Sequence, residues 1–193
     1  QQLIGINTVI YYAPTIFKFA GLSSGSAITE ALSVGITNLI FTGVAILVLD
    51  RFGRRPLLIV GTVGCIVTLG TLGAFFASPW LQSNASWLAL VSLIGYIAAY
   101  AVGLGPVFWL MIAEIFPLRV RSAAMSTSTI ANWASNFAVS SFFLTLTGAI
   151  TKQGTFWLYG AFGIAALLFF VFKLPETKDR SLEEISAEAA GAG

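Results

Sequence analysis

The sequence holds 193 residues, of which 57% are hydrophobic and only 9% charged, with a net charge of +2. A soluble domain carries about 25% charged residues, so a chain this apolar cannot build a wetted surface and reads as an integral membrane protein. The small net charge without a long basic run argues against nucleic acid as a partner. The absence of histidine removes the commonest general base and metal ligand, and the lone Cys65 allows neither a disulfide framework nor a CxxC metal site. No cofactor or metal is expected.

A membrane span needs about 20 mainly apolar residues. Six stretches meet that length: 1–21, 27–49, 56–77, 87–113, 122–147 and 156–172, separated by the turn- and charge-rich breaks GLSSGS, DRFGRRP, SPWLQSNAS, EIFPLRVR and TKQG. The chain opens on Gln1, with no methionine and no signal-like charged stretch ahead of an abrupt hydrophobic segment. It is therefore expected to be a piece of a longer protein. The expected organisation is an all-α membrane unit of six helices over residues 1–173, followed by a tail over 174–193 with a short helix and a disordered end.

The first segment begins QQLIGINTVIYY. Gln1, Gln2, Asn7, Tyr11 and Tyr12 donate and accept hydrogen bonds without carrying charge at neutral pH. Polar side chains at bilayer depth are costly unless they find partners or water, so their clustering marks a pathway or binding site. Uncharged partners point to a neutral, hydroxyl-rich ligand. On a regular helix Gln2 and Asn7 stand about 140° apart and converge only if the helix unwinds between them. Gly5 is the natural place for a break, and Pro14 supplies a second one.

In the second segment Asn38 is the one strongly polar side chain near the middle, equally suited to interhelical bonding and to a site. The fourth segment carries Gly103, Gly105 and Pro106 ahead of Trp109. Pro106 withholds a backbone donor there, and the break would set the Trp109 indole beside a cavity, where its flat face suits the C–H face of a sugar ring. In the fifth segment Ser128, Asn132, Asn136 and Ser140 recur every four residues and share one helix face. Helix–helix packing accounts for the serines. Two asparagines beside Trp133 exceed what packing needs and favour a cavity wall.

Ten lysines and arginines set the orientation. Arg51, Arg54, Arg55, Arg119, Arg121, Lys173, Lys178 and Arg180 fall on one side, against Lys18 and Lys152 on the other. The positive-inside rule puts the larger group, and with it both chain ends, in the cytoplasm. Trp80, Trp87 and Trp157 then lie near the outer interface. Asp50, Glu114 and Glu176 sit at helix ends on the inner side and Glu30 at the outer end, so no acid is expected at mid-membrane. With no histidine and no paired intramembrane carboxylates, an intramembrane enzyme is not expected.

Taken in order, these motifs resemble the carboxy-terminal half of the sugar porter family of the major facilitator superfamily, across nearly the whole chain. QQLIGINTVIYY is similar to that family's seventh helix, DRFGRR to its loop between helices eight and nine, and GPVFW, EIFPLRVR and NWASNF to helix ten, the loop after it and helix eleven. LPETKDRSLEEI resembles its tail signature.

The resemblance implies the C-terminal half of a twelve-helix fold working by alternating access in a cell membrane. An N-terminal six-helix half missing from this sequence would be its partner, beside the lipid bilayer. It implies that Gln1, Gln2, Asn7, Tyr11, Asn38, Trp109 and Asn132 contact a neutral monosaccharide or polyol. It also implies an inner gating network of Asp50, Arg51, Arg54, Arg55, Glu114, Arg121 and Glu176. The Tyr11–Tyr12 pair, near the outer end of its broken helix, would move with that helix as an outer gate. One departure is visible: several facilitative members carry an acid before the Gly-Pro break of helix ten, where this chain has Ala101 in YAVGLGP. Contact or coupling ascribed to that acid does not carry over. GLGPVFW and FPLRVRSAAMS resemble bacterial or polyol-type proton-coupled members, which tilts the expectation toward proton symport, with facilitative uniport or a non-transporting sugar receptor as alternatives. A coupling carboxylate would then lie in the missing half.

Overall fold

The computed structural model describes residues 1–22 and 27–178. The expected tail beyond residue 178, with its short helix and disordered end, lies outside the described residues. The described chain is all-helical and has no strand among these residues.

All six expected segments are helical, but they differ in kind. The first is broken, as its residues foretell. After a turn closed by the Gly5 N–H donating to the Gln2 carbonyl (2.9 Å), α1 runs over Ile6–Tyr11 and α2 over Ala13–Phe19. Gly5 has φ +83°, the left-handed region that suits glycine. A β-carbon there would also stand 2.5 Å from the Tyr159 ring. Tyr12 forms the second joint, and Pro14 in the first turn of α2 has no N–H to offer back to α1.

The second segment is α3, Ala27–Phe52, and the third is α4, Arg54–Ala77, joined through Gly53 at φ +85°. α4 is the central post of the bundle, packed along α6 (Ser86–Gly103) on one side and α9 (Thr151–Phe172) on the other. Gly61 and Gly103 let the first pair touch backbone to backbone: a β-carbon on either would collide with the other's Cα. Close approach of this kind is how helices gain packing energy where lipid removes the usual hydrophobic drive.

The fourth segment is interrupted as expected, though mildly. α6 ends at Gly103 and α7 spans Gly105–Glu114, with Pro106 in its first turn. Backbone bonds still cross the joint, from Leu104 N–H to the Tyr100 carbonyl (2.8 Å) and from Phe108 N–H to the Leu104 carbonyl (3.2 Å). Proline itself supplies no donor there. The stretch SPWLQSNAS, expected as a break, holds a short helix α5, Pro79–Asn84, started by Pro79 and by the Ser78 hydroxyl accepting from Leu81 N–H.

The fifth segment is α8, Arg121–Ala149, the longest helix at 29 residues. Among the described residues, four helical stretches are long and apolar enough to cross a membrane on their own: 32–52, 54–77, 86–114 and 151–172. The first segment falls short because it is split, and α8 because serines, threonines and asparagines dilute it. Both are the segments expected to carry function. Large apolar side chains such as Leu39, Leu47 and Phe172 stand about three-quarters exposed. A multi-pass membrane protein presents such a surface to lipid.

Candidate functional site

The Gly5 turn aims the first segment's amides into the bundle. Asn7 Nδ2 donates to Gln2 Oε1 at 3.0 Å, and Gln2 Nε2 donates in turn to Asn132 Oδ1 at 3.1 Å. This relay joins the first segment to α8. Gln2 and Asn132 are buried, and the relay satisfies polar groups that would be costly left alone in a membrane. The buried side chains of α8 are Asn132, Asn136 and Phe143, so most of its inward face is amide.

A second strand of polar contacts runs beside the first. The Ser140 hydroxyl donates to Asn136 Oδ1 (3.2 Å) and lies 3.3 Å from the Thr8 hydroxyl. Asn136 Nδ2 reaches the Tyr11 hydroxyl at 3.5 Å. Gln1 Nε2 donates to the Tyr100 hydroxyl (2.6 Å) and weakly to the Leu104 carbonyl at the α6–α7 joint (3.4 Å). The Gln1 Oε1 atom is buried with no hydrogen-bond partner among the described residues.

Of these groups, Gln1, Gln2 and Asn132 line a cavity of about 320 Å³, together with Leu3, Phe108, Ile112, Ser128, Ala131 and Ser135. That volume lies at the small end of the range for small-molecule sites. Its lining alternates amides and hydroxyls with one aromatic ring and aliphatic groups, and carries no charge on its side chains. An adjoining apolar cavity of about 330 Å³ shares Gln1, Phe108 and Ile112.

The structure thus brings together four of the seven expected ligand residues: Gln1, Gln2, Asn7 and Asn132. Three stand apart from the amide relay. Tyr11 is 57% exposed and meets Asn136, which lies outside both the relay and the cavity lining. Asn38 is half-buried on α3 and makes no side-chain hydrogen bond among the described residues. Trp109 is 41% exposed and meets the edge of Phe108, which is itself the ring that lines the cavity. Tyr96 and Tyr100 join the site without being among the residues expected there. Tyr96 is buried and donates to the Ile4 carbonyl at 2.7 Å, bracing the turn before Gly5. Their spacing of four, with both hydroxyls on one face of the fourth segment, is the available signal.

The arginine-bearing end differs from the network expected there. Arg54 pairs with Glu114 at 3.0 Å, the one ion pair among the described residues. The Thr177 hydroxyl donates to the second Glu114 oxygen at 2.5 Å. Glu176 does not meet a guanidinium. Its carboxylate accepts backbone N–H bonds from Arg54 and Arg55 (3.0 and 3.1 Å) and from Thr177 and Lys178 (both 3.0 Å). It therefore caps the start of α4, where the helix dipole favours negative charge.

Partial burial alone would raise the Glu176 carboxyl's pKa, but the four N–H donors hold it below its ordinary value. Arg55 donates to the Phe170 and Val171 carbonyls at the end of α9. The Arg121 Nε donates to the Phe116 carbonyl at 3.2 Å. Arg51 takes part only through its carbonyl, which accepts from Lys178 Nζ (2.8 Å). Asp50 is exposed and joins no ion pair among the described residues. These contacts have one physical reason: helix termini leave backbone donors and acceptors unpaired, and these charges serve those first. Arg54 Nε and Arg121 Nη2 remain buried without acceptors.

The family model described as "Sugar (and other) transporter" matches residues 1–189. A facilitated trehalose transporter of Bombyx mori is 42% identical over 194 residues, covering 96% of this chain and 37% of the relative. The D-xylose-proton symporter of Escherichia coli strain K12 is 39% identical over 193 residues, covering 97% of this chain and 38% of the relative. An inward-open structure of the E. coli xylose transporter superposes with a TM-score of 0.84 at 37% identity, covering 97% of this chain and 39% of that one. The same transporter bound to 6-bromo-6-deoxy-D-glucose also gives 0.84 at 37% identity. The chain spans about two-fifths of the length of these relatives.

Proposed function

The chain belongs to the sugar (and other) transporter family, and from that premise we propose that it is the C-terminal half of a secondary transporter moving a neutral monosaccharide or polyol across the cell membrane by alternating access. The observation that carries the proposal is the uncharged relay Asn7–Gln2–Asn132, whose Gln2 and Asn132 amides line the 320 Å³ cavity. Each amide offers both a donor and an acceptor, the same pair a sugar hydroxyl presents, while Phe108 supplies an apolar face for the ring's C–H groups. The free Gln1 acceptor supports the same reading.

An N-terminal half of similar size supplies the opposite wall of the site. It also supplies acceptors for the two unpaired guanidinium nitrogens of Arg54 and Arg121, completing a gate on the cytoplasmic side. Both ends of the chain face the cytoplasm, as the arginine distribution requires. Asn38, Trp109 and the Tyr11–Tyr12 pair reach the sugar, or close over it, when the halves rock together.

Coupling is by proton symport, a reading supported by the likeness of GLGPVFW and FPLRVRSAAMS to proton-coupled members, with the titrating carboxylate outside this chain because Asp50, Glu114 and Glu176 all sit at helix ends. The test is uptake of labelled monosaccharides into sealed vesicles carrying the full-length protein. Saturable uptake of a neutral sugar is expected, and collapse of the proton gradient should abolish its accumulation. Binding without passage would make the protein a receptor, and passage without accumulation a uniporter.

A further inference from the structure

At the end of the bundle opposite the arginines, Lys152 is held by rings and not by a carboxylate. Its ammonium lies 4.1 Å from the centroid of the Phe19 ring and 5.9 Å from that of Phe76. No acidic side chain among the described residues pairs with it. Phe19 is the last residue of α2, the outer piece of the broken first segment. Phe76 belongs to the central helix α4 and is stacked at 5.5 Å on Phe156 of α9. Phe156 meets Phe143 of α8 at 6.5 Å, and Phe143 meets Tyr12, the joint at the other end of α2, at 4.9 Å. The short helix is thus fastened at both ends to one aromatic layer, by a ring contact at Tyr12 and by a cation at Phe19.

The residue that sets Lys152 in place is strained. Thr151 has φ +68°, the only positive φ outside glycine among the described residues and an unfavourable one for a β-branched side chain. That backbone turns the chain from α8 into α9 and delivers the lysine over the rings.

We propose that Lys152 is a positioning residue for the gate: its contact with Phe19 latches the outer end of α2 onto the α4–α9 scaffold and sets how readily the broken first segment swings away from the site. The inference rests on the transport reading for its purpose, but its evidence is the geometry of α2 alone. A cation–π contact at a partly exposed site shifts an open–closed balance about two- to fivefold. The latch is therefore strong enough to bias the gate and weak enough to release on each cycle.

The test measures α2 opening without sugar. Ala13 and Ala20 are buried on either end of α2. Ala13→Cys or Ala20→Cys, placed in a full-length background otherwise free of cysteine, reports opening as the rate of labelling by a membrane-impermeant maleimide. Lys152→Gln is expected to raise that rate about two- to fivefold. Phe19→Leu should match it, the two together should add nothing further, and Lys152→Arg should label like the parent. Labelling of Lys152→Gln at the parent rate at both positions would overturn the latch. So would equal acceleration by Lys152→Arg, because a cation would then be irrelevant. A failed sugar-uptake assay would leave this result standing, and a failed labelling assay would leave the binding site untouched.

Discussion

Gln2 is the residue on which the site turns, because it accepts from Asn7 and donates to Asn132 at once. Truncating it leaves two partners unsatisfied, one of them buried, whereas Asn7→Ala removes one bond at the end of the relay. A lost neutral hydrogen bond costs about 1 kcal/mol and an orphaned buried group about 1–3 kcal/mol. Asn7→Ala and Asn132→Ala are expected to weaken sugar binding roughly fivefold, and Gln2→Ala by roughly tenfold or more, with membrane insertion unchanged in each. Binding titrations on purified protein check the order.

Glu176 gives a second prediction at this scale. Its folded carboxyl titrates below the ordinary glutamate value of about 4.3, so its contribution is complete above that value and is lost as pH falls through the lower folded value. Docking of residues 173–178 should loosen on that acid side, measured as faster proteolysis there, and Glu176→Gln should remove the pH dependence.

The broken first segment joins sequence to function at the scale of elements. Gly5, Pro14 and the mismatch of about 140° between Gln2 and Asn7 make both breaks legible in the sequence itself, since each is a local backbone rule. The Gly-Pro joint of the fourth segment is legible for the same reason. Its mildness is not, because Pro106 removes one donor while the surrounding backbone bonds re-form across it.

At the charged end the sequence reveals place better than partners. Spacing alone does not reveal that Glu176 caps α4 or that Arg55 bonds to carbonyls of α9. Both follow from where helix ends meet in space. α5 escapes notice because its proline and serine start signals lie inside a stretch with the composition of a turn. Gly5→Ala puts a β-carbon 2.5 Å from the Tyr159 ring on a left-handed backbone. A loss of about 1–3 kcal/mol in stability is expected, together with loss of binding, because the turn that aims Gln2 would no longer form. Thermal unfolding in detergent, with and without sugar, separates the two effects.

For the whole molecule, α4 is a fixed post to which α6 and α9 are packed, while the first segment and α8 carry the polar groups and are held less tightly. The Gly61–Gly103 contact should belong to the rigid part. Gly61→Leu would force α4 and α6 apart and is expected to lower folded yield, with little selectivity between sugars. Alternating access needs this division of labour, with a stiff scaffold and one pliable wall. Apolar segments, helix breaks and arginine distribution are readable from the sequence because each follows from bilayer physics. The relay's partners are not, because Gln2 and Asn132 are 130 residues apart and meet only when the bundle closes.

The most direct test of uncharged recognition is a binding titration of the full-length protein with a neutral hexose and with the corresponding uronic acid, each repeated on Gln2→Ala. The neutral sugar should bind at least roughly tenfold more tightly than its acid, and Gln2→Ala should erase most of that affinity. Equal binding of the two, or a neutral sugar indifferent to Gln2, would contradict a site built from amides for hydroxyl groups.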